Sequence, residues 1–159
     1  MNLFEFTQRF TRSNIFGGAT IIEINGKYFL ASERQAELAK SSPIRPVHLG
    51  TYLGKNGERF KPGFFLLDML KKHAKTVTVN QKAAWLFLCG RDVLKEGITR
   101  KDKIELHDDV LVIDEKGNVL GYGYYMSDRI RNVLDRGDFL RRERDTKDQP
   151  QKKERYNKR

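Results

Sequence analysis

The chain has 159 residues, of which 38% are hydrophobic and 33% charged, a globular balance with a polar excess and enough length for one large or two small domains. Lysine and arginine number 31 against 21 acidic residues, a net charge of +10, so RNA, DNA and anionic surfaces are the partners to consider. The longest apolar run, residues 83–89, is far short of the ~20 needed to cross a bilayer; nothing at the amino end reads as a secretory leader, and a single cysteine excludes an internal disulfide and implies a reducing compartment.

In chain order, Leu3, Phe4, Phe6 and Phe10 recur at helical spacing and predict a short amphipathic helix within residues 1–11. The stretch ATIIEINGKYFLAS predicts a hairpin, with strands over 19–24 and 27–31, because Asn25-Gly26 tolerates the positive φ of a two-residue reversal. Ser32 caps a predicted helix through residue 39, which Pro43 and Pro46 keep from continuing. Residues 47–57 read as a strand and turn. Residues 64–75 predict a second helix, apolar first and basic at its end, where Lys71, Lys72 and Lys75 would complement the helix dipole. A domain boundary is expected just after it.

The second half opens with a β signal at residues 76–79 and a helix over 81–89, stopped by Gly90. Residues 109–114 and 119–125 predict strands around the loop Glu115-Lys116-Gly117-Asn118. A short late helix is expected over 127–134, followed by a closing strand at Phe139-Leu140. From Arg141 onward nine basic and four acidic residues leave almost nothing to bury, which predicts a disordered basic tail.

Residues that could carry chemistry read mostly as structure. Cys89 lies in an apolar run and is expected to be a core thiol. His48, His73 and His107 lack the spacing that aims two imidazoles at one ion, so no metal site and no cofactor are expected. Asp108-Asp109 reads as a turn before a strand. Gly121-Tyr122-Gly123 lies in a strand signal, where glycines give room for close backbone approach. Trp85, Phe64, Phe65 and Phe87 are expected in the core.

The stretches CGRDVLKEGI and DDVLVIDEKGNVLGYGYY resemble the PUA module, an RNA-binding pseudobarrel, over about residues 76–142. In that module a helix ends at a glycine matching Gly90 and a short segment leads to a second matching Gly97. His107 stands where members of the module often carry glycine. IIEINGKYFLASERQAELA, PVHLGTYLGK and MSDRIRNVLDRGDFLRR are similar to the Nip-seven family of large-ribosomal-subunit biogenesis factors, archaeal members most of all.

This resemblance implies an α+β chain: a small N-terminal α/β domain (1–75), a PUA pseudobarrel of mixed strands with short helices (76–142) and the basic tail (143–159). It implies a non-catalytic RNA-binding factor acting in ribosomal RNA processing and large-subunit assembly. Precursor ribosomal RNA would be its partner through the PUA domain, and other assembly or processing proteins through the N-terminal domain. No membrane partner is implied, and the location would be cytoplasmic, or nucleolar in a eukaryote. Arg129 and Arg131 match the family's RNA-contact positions on the expected late helix, and Arg136 follows them. Arg91 and Lys95 would contact phosphates, and Gly90 and Gly97 would let backbone approach RNA. Two alternatives are an RNA-binding accessory subunit of a methyltransferase or pseudouridylation system, and a basic adaptor that grips an acidic protein.

Overall fold

The computed structural model describes residues 1–44, 46–138 and 141. The first half runs α1 (Leu3–Gln8), β1 (Thr20–Ile24), β2 (Lys27–Ala31), α2 (Glu33–Ser41), β3 (Thr51–Lys55), β4 (Lys61–Pro62) and α3 (Phe64–Leu70). Its sheet is antiparallel in the order β1-β2-β3-β4. The hairpin forms at the expected place, with Asn25 at φ 52° and Gly26 at φ 73°, the mirror-image turn whose twist suits flanking strands. Ser32 caps α2 in a reciprocal capping box with Gln35, which satisfies two otherwise orphan backbone donors.

The second half runs β5 (Thr76–Val79), α4 (Gln81–Leu88), β6 (Val93–Leu94), a 3-10 helix (Lys95–Gly97), β7 (Ile98–Lys101), β8 (Asp109–Asp114), β9 (Val119–Met126) and β10 (Arg129–Asp135). These six strands form one sheet in the order β6-β10-β9-β8-β5-β7, antiparallel except for the parallel β5–β8 pair. Its two edge strands, β6 and β7, are neighbours in the chain, joined by the three-residue 3-10 helix. That short link draws the edges together, so the sheet curls into a nearly closed pseudobarrel. The architecture is the expected α+β class.

Gly121 and Gly123 make the tight curl of β9 against β10. A Cβ at Gly121 would lie 2.0 Å from the Leu134 carbonyl oxygen, and one at Gly123 2.2 Å from that of Arg131. His107, where a glycine was the expected residue, indeed has positive φ, 70°.

Several expectations are corrected. The late helix carrying Arg129, Arg131 and Arg136 is instead a strand: Arg129 and Arg131 lie on β10, and Arg136 directly follows it. The apolar spacing Ile130, Val133, Leu134 looks helical because β10 feeds two cores: Ile130 lies inside the pseudobarrel, while Val133 and Leu134, at the bulge between Asn132 and Leu134, pack against the core of the other face. The second helix ends at Leu70 rather than near residue 75, because beyond the fully buried Leu66, Leu67 and Leu70 it has no large apolar side chain to anchor a further turn. Lys71 follows α3 directly, and Lys75 pairs with Asp108 at 2.6 Å. Trp85 and Phe65 are not in the core, being 64% and 44% exposed, and Cys89 is exposed too. Each sits on a helix whose other face is buried: Ala83, Ala84 and Phe87 of α4, and Leu66, Leu67 and Leu70 of α3. The expected strand at Phe139-Leu140 and the tail over 143–159 lie outside the described residues.

Two buried cores form. One core lies within the pseudobarrel and contains Val77, Val79, Phe87, Val110, Val112 and Ile130. The other is shared: Leu3, Phe6, Phe10, Leu53, Phe60 and the leucines of α3 pack with Leu111, Ile113, Val119 and Tyr122 of β8 and β9. Phe6 and Phe10 meet the Tyr122 ring edge-on at 5.5 and 5.6 Å between centroids. Arg9 grips Asp109 with two hydrogen bonds, 2.8 and 2.6 Å. The first half is therefore a cover for the outer face of β8 and β9.

Candidate nucleic-acid interface

The helix α4 begins at Asn80, whose side chain accepts from the Ala83 amide. It ends where Gly90 takes φ 87°, with the Gly90 amide donating to the Phe87 carbonyl and the Arg91 amide to that of Leu86. These two bonds are the glycine stop that satisfies the last helical carbonyls. Gly97 has another reason to be glycine: a Cβ there would come within 2.5 Å of the Ala83 Cβ, so its bare backbone lets the 3-10 helix press against α4. Both glycines thus owe their identity to the protein's own packing, and both line the cleft that this packing leaves.

That cleft, about 840 Å³, lies between α4 and residues 90–97. Its walls carry apolar Ala83, Leu86 and Leu94, polar Asn80, two cations (Lys82, Arg91) and two carboxylates (Asp92, Glu96). Its charge is balanced. A polar network holds the floor: the Asn132 side chain donates to the carbonyls of Phe87 and Arg91 and to Asp135, while Asp92 accepts from the Asn132 amide. Asp135 is nearly inaccessible, 2% exposed, and Arg141 meets it with two hydrogen bonds, 3.1 and 2.7 Å, while donating to the Leu88 carbonyl. A buried carboxylate demands such a partner. The bonds to Asp135 also raise the pKa of Arg141 above the usual guanidinium value.

The sequence-predicted residues divide into three groups. Arg91 is exposed on the cleft wall. Arg129 stands opposite Leu94 in the β10–β6 pairing. It is hydrogen-bonded to Asp128 and lies 3.9 Å from Asp92, and the Asp128 bonds hold its pKa above, and that of Asp128 below, the ordinary values. Arg131 is exposed on the same outer face of β10, its guanidinium 5.6 Å from the centre of the Tyr124 ring. Lys95 projects on the other side of the 3-10 helix from the cleft, into a second groove with Arg129.

Arg136 is apart from these. Its Nε donates to the Val119 carbonyl at 2.6 Å, its Nη2 to both Asp68 oxygens at 3.0 Å, and its guanidinium stacks on Phe64 at 4.8 Å. It clamps α3 to the end of the pseudobarrel. Arg136→Ala is expected to lower the melting temperature, with a loss of about 1–3 kcal/mol from the unpaired acceptors, while RNA affinity stays near wild type. Parallel thermal melts and RNA titrations check both halves of that expectation.

Trp85 was missed as a surface residue. With 83, 84 and 87 on the core face, helical geometry turns 85 and 89 outward, and that phase was readable once the buried face was known. Trp85 follows Lys82 by three positions and precedes Leu86 by one, and both of these line the cleft.

Residues 75–144 match the family model described as the UPF0113 PUA domain, and the six-stranded pseudobarrel is accordingly a PUA fold. The chain is similar to a UPF0113 protein of Archaeoglobus fulgidus, 29% identical over 116 residues, which are 64% of this chain and 66% of that one. The alignment thus spans just under two thirds of the relative. Among solved structures, a conserved PUA domain protein from Thermoplasma acidophilum shares the fold, with 17% identity, a TM-score of 0.55, and coverage of 89% of this chain and 91% of that one. A hypothetical protein from Pyrococcus horikoshii is 17% identical with a TM-score of 0.45, covering 74% of this chain and 73% of the other. Among the described residues no helix is long and apolar enough to cross a membrane.

Proposed function

We propose that the protein is a non-catalytic RNA-binding factor that takes an unstacked base of single-stranded RNA into the cleft between α4 and residues 90–97. The observation that carries this reading is the cleft's lining. Apolar walls beside a few fixed polar groups suit a flat heteroaromatic ring, whereas backbone phosphates need concentrated positive charge, and the cleft is balanced. Trp85, exposed on α4 outside the cleft's lining, offers a stacking surface, the means by which proteins hold splayed bases. The PUA match over residues 75–144 supports the same class of ligand.

The wider role is ribosomal RNA processing and large-subunit assembly, in the cytoplasm or, in a eukaryote, the nucleolus. It rests on the likeness to the Nip-seven family in IIEINGKYFLASERQAELA and PVHLGTYLGK. In this reading residues 1–75 form the partner-facing unit, 76–142 the RNA-binding unit, and the tail adds affinity without selectivity.

Trp85 is the sole tryptophan, so its emission reports on the exposed face of α4 alone. Titration with single-stranded RNA is expected to quench it saturably, while duplex RNA, whose bases remain stacked, quenches it little. Trp85→Ala is expected to weaken binding by about 1–3 kcal/mol without lowering thermal stability. Unchanged emission at RNA concentrations that saturate binding by an independent assay rules out a base stacked on Trp85.

A further inference from the structure

The open seam of the pseudobarrel contains a second groove, about 280 Å³, between β7 and the β9–β10 turn. It lies between one edge strand, β7, and the hairpin whose β10 pairs with the other edge, β6. Lys95, Arg100 and Lys101 come from the 3-10 helix and β7, and Tyr125, Asp128 and Arg129 from the opposite hairpin. Its charge is the reverse of a balanced site: four cations face one carboxylate, and that carboxylate, Asp128, already accepts from Arg129. The Lys101 ammonium sits 5.0 Å above the Tyr125 ring.

The 3-10 helix is the ridge between the two grooves. Leu94, Glu96 and Gly97 line the first, Lys95 and Ile98 the second. Only this short segment separates the two linings, so one extended strand can reach both grooves. Charged side chains also keep bare edge strands from pairing with other chains. That role would be met by Arg100 and Lys101 alone and does not require Lys95 and Arg129 to converge from two other elements.

We infer that the seam is a phosphate-binding subsite that holds the sugar–phosphate backbone of the RNA whose base enters the neighbouring cleft. The inference rests on the RNA reading above and adds to it a division of labour: the cleft holds the base, the seam the backbone.

The test uses the full chain and a fluorescein-labelled, mixed-sequence single-stranded RNA, with anisotropy measured across a salt series. Arg100→Ala/Lys101→Ala removes two exposed charges from the seam; Lys40→Ala/Lys116→Ala removes two elsewhere. The seam variant is expected to lose at least ten-fold in affinity at moderate salt. Its slope of log affinity against log salt is expected to fall by roughly 0.7 per lost contact, while the control keeps most of both and the Trp85 quench still saturates in the seam variant. A seam variant that matches the control while wild type binds RNA overturns the subsite and leaves the RNA reading standing. A wild type that binds no RNA at low salt overturns both. Polyglutamate that competes as well as RNA, with the same loss in the seam variant, overturns the phosphate assignment in favour of an acidic protein partner.

Discussion

A fragment of residues 75–142 is expected to aggregate or remain unfolded, although it contains every strand of the pseudobarrel. The reason is the shared core. Removing the first half exposes Leu111, Ile113, Val119 and Tyr122, all at most 4% accessible in the whole chain, and breaks the Arg9–Asp109 and Arg136–Asp68 pairs. At about 1.5–3 kcal/mol per large apolar side chain, the four together amount to roughly 6–12 kcal/mol. That is comparable with the ~5–15 kcal/mol that holds a whole domain folded. Circular dichroism and sedimentation of the fragment decide the matter: a soluble, cooperatively melting fragment would show that the inner core of Val77, Phe87, Val112 and Ile130 suffices. A weaker form of the test is Phe6→Ala in the full chain, which is expected to cost ~3–5 kcal/mol as a large-to-small change at a fully buried site.

The second large effect concerns binding. The triple variant Arg91→Ala/Arg129→Ala/Arg131→Ala is expected to lose affinity for single-stranded RNA by two orders of magnitude or more, since each charged hydrogen bond contributes about 1.5–3 kcal/mol. The slope against salt should fall by roughly 0.7–0.9 for each phosphate contact removed. Arg91 and Arg131 make no ion pair among the described residues, and Arg129 keeps 43% of its side chain accessible beside Asp128 and Asp92. The melting temperature should therefore change little, because exposed substitutions usually stay within about 0.5 kcal/mol. Deleting residues 149–159, which carry five of the basic residues, is expected to be the milder change and to weaken unrelated RNAs equally, because a polycation meets phosphates without reading bases. A folded triple variant with wild-type affinity and slope would move the interface to Lys71, Lys72 and Lys75.

Arg129 and Arg131 contrast with Arg136. In sequence the three arginines are equivalent, lying within eight positions of one another. Only the fold separates Arg131, which is exposed and lies over a tyrosine, from Arg136, whose Nε and Nη2 are committed to Val119 of β9 and Asp68 of α3. Partner assignment is a long-range property: Asp68 is 68 residues away from Arg136.

Local chemistry was legible in the sequence wherever one short stretch decides its own conformation. Asn25-Gly26 dictates its reversal, Ser32 and Gln35 cap their helix, Gly90 stops α4, and the β-branched run at 76–79 forms a strand, because the relevant hydrogen bonds and φ values lie within a few residues. The class of the fold followed from such elements in order, and the PUA likeness from the stretches CGRDVLKEGI and DDVLVIDEKGNVLGYGYY. Tertiary structure decided the rest. The strand β10 reads as a helix because its apolar residues feed two cores, Ile130 one and Val133 and Leu134 the other, an assignment made by packing and not by the strand itself. Which face of α4 is buried, and hence that Trp85 and Cys89 lie outside, depends on where β8, β9 and β10 pass. The two grooves exist only because Gly97 lets the 3-10 helix lie on Ala83 and because β6 and β7 stop short of pairing; closure of a six-stranded sheet depends on contacts between segments far apart in the chain, and no local pattern of residues encodes it.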